Sequence, residues 1–155
     1  MKQKLKKLSI ATLIAAAVVN AQSSTTVTPS ETINNTELNC LATAIYHESK
    51  SEPKLGKFAV AFVVNERKES GKFPNSFCKV TKQVKPNCQF TFACKRLPVT
   101  NREQFEEAKE VAYAFAVMGK HNNILPEGTM YFHSKQARGF KRKKVAVIGN
   151  HVFYR

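Results

Sequence analysis

The sequence contains no tryptophan, and all 11 of its acidic residues are glutamate, with no aspartate. Large aromatic faces are therefore limited to phenylalanine and tyrosine. Any carboxyl chemistry must come from glutamate, and the paired aspartates of two-carboxylate sites are excluded. Long apolar runs are scarce. The run "LSIATLIAAAVV" near the N-terminus has twelve residues, too few to span a bilayer as a permanent anchor. Preceded by "MKQKLKK" and followed by "VNA", it has the layout of a secretory leader cleaved before Gln22. An uncleaved anchor is the alternative. Residues 1–21 are thus expected to be a signal peptide, residues 22–36 ("QSSTTVTPSETINNT") a polar linker, and residues 37–155 one folded domain. The expected location is outside the cytoplasm, in the periplasm, the wall or the medium.

What is abundant is positive charge, +14 over the chain, which falls to +10 once Lys2, Lys4, Lys6 and Lys7 leave with the leader. Such a field draws polyanions without specifying a fold. For an exported chain the fitting partner is an anionic envelope polymer, and nucleic acid is not expected. The densest cluster, "ARGFKRKK", reads either as a polymer-binding patch or as a solvated loop.

Cys40, Cys78, Cys88 and Cys94 all lie in the expected mature chain. An even number in an exported protein points to disulfides. Three pairings are open. The short loop between Cys88 and Cys94 is preferred, which leaves Cys40 with Cys78. A zinc site is disfavoured, because five residues separate Cys88 from Cys94 where knuckles have two to four.

Leu38, Leu41, Ala42 and Ile45 recur at helical spacing, so a helix is expected from Thr36 or Glu37 to about Ser51, where Pro53 ends it. A second fits "KLGKFAVAFVVNERKES", closed by Gly71. Ser76 is a plausible cap for a short helix, and "KPNCQFTFACKRLP" reads as a loop or hairpin. A third long helix fits "TNREQFEEAKEVAYAFAVMGK", with Thr100 and Glu103 as a capping box and Gly119 as its end. "TMYFH", "KVAVIG" and "HVFYR" then read as short strands. The fold class is α+β, mainly helical with a small C-terminal β part.

The chemically richest stretch is "IYHESKSEP". A zinc-protease His-Glu-x-x-His would place a second histidine where Ser51 stands, so no metal or other cofactor is expected. The other possibility is a general acid. A glutamate lining a cleft at the buried end of a helix loses solvation and holds its proton nearer neutral pH, as glycosidic cleavage requires. Glu48 is that candidate, and an ordinary helix-end carboxylate is the plain alternative. No second carboxylate pairs with it convincingly. Glu52 is four residues on but past the break at Pro53, and the glutamates from Glu103 to Glu110 read as an exposed face with Lys109.

"CLATAIYHESKSEPKLGKFAVAFVVNER", "FPNSFCKV", "CQFTFAC", "YFH" and "IGNHVFYR" occur in that order. Together they resemble the SleB/CwlJ family of cell wall hydrolases. The resemblance implies a lysozyme-like domain acting on peptidoglycan, with Glu48 as the key acid. It further implies substrate-binding roles for Asn65, for Gln89, Phe90 and Thr91, and for His133, His151 and Tyr154. The chain departs from the family in two places. "SKS" follows Glu48 where Ala-Arg-Gly is common, bringing Lys50 close to it. Thr91 and Phe92 stand where Ser and Trp are common, so sugar stacking would rest on Tyr and Phe. The implied function is cleavage between N-acetylmuramic acid and N-acetylglucosamine by a lytic transglycosylase or muramidase. A catalytically inactive peptidoglycan-binding module is the alternative.

Overall fold

Asn34 starts the first helix. Its Oδ1 accepts from the backbone N–H groups of Thr36 (2.9 Å) and Glu37 (3.4 Å), satisfying donors that a helix start leaves free. In this computed structural model, which describes residues 34–86, 88–118 and 123–155, α1 spans Asn35–Ser49. It therefore begins one or two residues before the expected start and takes the last two residues assigned to the linker. The expected leader, the rest of that linker up to residue 33, and Gly119 lie outside the described residues.

α2 spans Lys54–Glu69. Ala59, Val60, Ala61, Val63 and Val64 are fully buried, so this helix fills the middle of the domain, as its apolar density predicts. Gly71, at φ +69°, makes the left-handed exit that a side chain disfavours. α3 (Phe77–Thr81) is capped by Ser76, whose Oγ accepts from the Lys79 N–H at 3.2 Å.

Three expectations are corrected. The segment around Cys88 and Cys94 is not a hairpin: it forms a short helix, α4 (Thr91–Lys95), which the Cys88–Cys94 bond and buried Phe92 hold in place. The last helix, α5, spans Arg102–Met118, and its start is capped by Asn101, whose Oδ1 accepts from Gln104 N–H at 3.0 Å. Thr100 is engaged elsewhere: its N–H and that of Asn101 donate to the hydroxyl of Tyr46, at 3.2 and 3.0 Å. The α5 acidic face is also less free than its pattern implied. Glu107 holds the buried Lys57 ammonium of α2 at 2.8 Å.

Three strands complete the domain: β1 (Tyr131–Ser134), β2 (Lys144–Ile148) and β3 (His151–Tyr154). They form an antiparallel sheet in the order β1-β3-β2. The central strand is buried throughout. Phe153 and Leu125 join Leu41, Ile45 and Phe90 in one core with α1, α2 and α5.

Cys40 is bonded to Cys78, which staples α1 to α3, and Cys88 to Cys94, the preferred pairing. The first closes a loop of 38 residues, so replacing both cysteines by serine should cost roughly 3–4 kcal/mol. Chemical denaturation of the variant checks this.

The β2–β3 turn is fixed from outside. Glu52 Oε2 accepts from the Asn150 N–H at 2.8 Å, and Gly149 has φ +56° where an added Cβ would run into the same carboxylate. A Gly149→Ala change meets both a left-handed backbone and a steric clash, and should destabilise by roughly 1–3 kcal/mol. An unchanged melting curve would contradict this account of the turn.

Candidate active site

Glu48 sits in the last turn of α1, half-buried, between Ser49 and His47. Ser49 is buried and turns its hydroxyl back to the Ile45 carbonyl at 2.6 Å, which keeps the helix intact up to the carboxylate. Burial raises the Glu48 carboxyl from 4.5 to about 6, opposed by the positive charge of Arg67. The Lys50 ammonium lies over the Tyr46 ring, 5.8 Å from the centroid, so the "SKS" departure leaves the acid raised.

Arg67 is a second candidate for the site, one that the sequence motifs do not mark. It lies on α2 with its guanidinium over the rings of Phe73 (5.3 Å) and Phe90 (5.1 Å). Nε donates to the Met130 carbonyl at 2.8 Å, while Nη1 is buried without a partner. Burial pulls it down to about 10, against the neighbouring Tyr131 and Glu48. A cation so placed favours the carboxylate that forms when Glu48 gives up its proton. The signal was available. Gly56, Val60, Val63 and Val64 mark the buried stripe of α2, and Arg67 falls on that stripe at the same spacing.

His47 stacks on Phe92 (4.7 Å, 11° between planes), and burial followed by Lys50 lowers its pKa. Phe92, where the family often has Trp, is therefore covered and offers no open face to a sugar. Phe90 is also core, but it reaches the site by supporting Arg67. Gln89 is half-buried and Thr91 exposed at the head of α4.

The β residues separate into two groups. Strand pleating puts His133 and Tyr154 on one face and His151 on the other. His133 Nδ1 lies 2.6 Å from the Ser134 carbonyl, which only accepts, so Nδ1 carries the proton. In the neutral ring Nε2 then accepts from the Tyr154 hydroxyl at 2.8 Å. His151 packs edge-on against Phe132, and its pKa is lowered by burial, with Glu52 opposing.

Asn65 lines a pocket of about 400 Å³ with Glu66, Glu69, Phe115, Gly128 and Met130; Glu48 is not in its wall.

Among the described residues no second carboxylate stands ready beside Glu48. Glu52 is tied to the β2–β3 turn, Glu66 accepts from the Gly128 N–H at 2.6 Å, and Glu107 holds Lys57. Among the described residues no group of three or more His, Cys or Glu side chains is placed to hold a metal ion, and no helix is long and apolar enough to cross a membrane.

The cell wall hydrolase family model matches residues 51–154, beginning three residues after Glu48. A spore cortex-lytic enzyme of Bacillus cereus is 30% identical over 122 residues, covering 76% of this chain and 43% of that protein. The chain thus spans less than half the length of the curated relatives it matches. Among solved structures, the catalytic domain of the Bacillus cereus SleB protein superposes with TM-score 0.63 at 24% identity, over 81% of this chain and 94% of that one. The catalytic domain of the germination-specific lytic transglycosylase SleB from Bacillus anthracis gives TM-score 0.61 at 27% identity, over 81% and 99%. A match over two thirds of the sequence, together with this fold, identifies the chain as a member of the cell wall hydrolase family.

Proposed function

We propose that the protein cleaves peptidoglycan between N-acetylmuramic acid and N-acetylglucosamine, with Glu48 as a single acid and base. The observation that carries this is a half-buried glutamate raised to about 6 at the end of α1, faced by a buried arginine and with Glu52, Glu66 and Glu107 otherwise engaged. The name of the Bacillus anthracis relative supports the same chemistry. Protonated Glu48 delivers its proton to the leaving glycosidic oxygen as the C1–O bond breaks and positive charge builds on the muramyl ring. The resulting carboxylate, opposite Arg67, then takes the proton of the muramyl C6 hydroxyl as that oxygen bonds to C1, giving a 1,6-anhydro end. The engagement of Glu52, Glu66 and Glu107 elsewhere, which leaves none of them to activate water, favours this route over hydrolysis. No organic cofactor or metal takes part. The leader-like N-terminus and the two disulfides support action outside the cytoplasm.

The acid form is the active one, so kcat/KM should fall as pH rises through about 6 and Glu48 ionises. Release of soluble muropeptides measured from pH 4.5 to 8.5, buffers chosen by ~1-unit steps, tests this. A profile flat across that range would remove Glu48 from the role of acid.

A further inference from the structure

From Gly128 to the C-terminus the chain carries seven lysines and arginines and no acidic residue. Among the described residues none of these cations is in a salt bridge. Most lie on the exposed strap that joins β1 to β2, residues 135–143. The strap packs onto the sheet through Gly139, Phe140 and Arg142. Phe140 packs against His133 (5.1 Å), Tyr154 (5.4 Å) and Tyr131 (6.3 Å), yet keeps 44% of its surface exposed. Gly139 lies so close to the His133–Tyr154 pair that a Cβ there would come 3.3 Å from the Tyr154 hydroxyl. The Arg142 guanidinium lies over the Tyr131 ring, 3.7 Å from its centroid.

A stacked guanidinium is oriented in advance, and the N–H groups on its edge are free to take a carboxylate in two parallel bonds. Tyr131 beneath it follows Met130, whose carbonyl accepts from Arg67 Nε at 2.8 Å, and the Arg67 charge acts on Glu48. The strap is thereby linked to Glu48 through Tyr131, Met130 and Arg67.

We propose that this strap is a carboxylate-binding rim of the active site, with Arg142 as its fixed fork, Lys141, Lys143 and Lys144 as its surrounding field, and Phe140 as an apolar shelf. Its occupant is the peptidoglycan strand being cut, held by the carboxylates of its muramyl-linked peptides. This rests on the substrate class proposed above. Phosphate-rich wall polymers would meet the same cations, but they have no reason to lie beside Glu48.

The test uses the Glu48→Gln protein, so that binding is read without cleavage, sedimented with purified sacculi at ~0.15 M salt. Changing Lys141, Arg142, Lys143 and Lys144 together to Ser should weaken binding about tenfold and flatten its salt dependence. All four are exposed. In the active protein the same change should raise KM with kcat nearly constant. Amidating the sacculus carboxylates should abolish the difference between the two proteins, while stripping phosphodiester-linked polymers with hydrofluoric acid should leave it intact. Unchanged binding by the quadruple variant, or loss of the difference on acid stripping alone, would overturn the proposal. Because the readout is binding, an error about Glu48 chemistry would leave these outcomes unaffected and would show separately in activity.

Discussion

Glu48→Gln should lower the rate of strand cleavage by about 10²–10⁴-fold, since glutamine keeps the shape of the side chain but has no proton to give. The same change should make the protein more stable at neutral pH. A carboxyl raised from 4.5 in the unfolded chain to about 6 in the fold contributes fully below the lower value, and that contribution is lost as pH rises through the upper one. Above pH 6 the folded protein carries an ionised carboxylate in a poorly solvated place, at a cost of about 2 kcal/mol. Glutamine does not ionise, so the variant should gain up to about that much at pH 8 and nothing at pH 4. Denaturation at the two pH values, beside activity on sacculi, checks both halves. A variant that is inactive but also destabilised at pH 8 would mean that the loss came from structure.

Arg67→Met carries the second large effect, through two separable consequences. Without the guanidinium, the Met130 carbonyl loses its donor and the rings of Phe73 and Phe90 lose their cation. The fold should weaken by roughly 1–3 kcal/mol. Independently, the charge that opposes protonation of Glu48 is gone. The acid should then hold its proton to higher pH, so the falling limb of kcat/KM moves upward. The maximum rate should drop about tenfold or more, because the carboxylate formed on proton transfer is no longer stabilised. Arg67→Lys keeps a charge but not the fork, so its limb should stay near the original pH while some stability is lost. A limb that does not move in the Met variant would reduce Arg67 to a packing residue.

Much of this architecture was legible because its signals are local. The helical spacing of Leu41, Ala42 and Ile45, the dense apolar run of α2 and the acidic start of α5 each specify an element within one turn or two. The cysteine pairing followed from proximity along the chain. The misreadings have non-local causes. Thr100 looks like a cap until the Tyr46 hydroxyl, 54 positions away, takes its backbone N–H. α4 has five residues, too few for a periodic pattern, and exists because a disulfide and Phe92 burial offset the cost of nucleating it.

Site residues fared differently again. Motif order locates Glu48, but it does not say which way Asn65 points or that a strand's pleat divides His133 from His151. Arg67 was visible only as a cation on an apolar stripe, a pattern whose meaning depends on what the stripe is packed against.

The most direct test of single-glutamate cleavage is mass spectrometry of the muropeptides that the protein and its Glu48→Gln variant release from purified sacculi. The account predicts 1,6-anhydromuramyl ends from the protein and none from the variant. Reducing muramyl ends as the main product, or equal release by the variant, would contradict it.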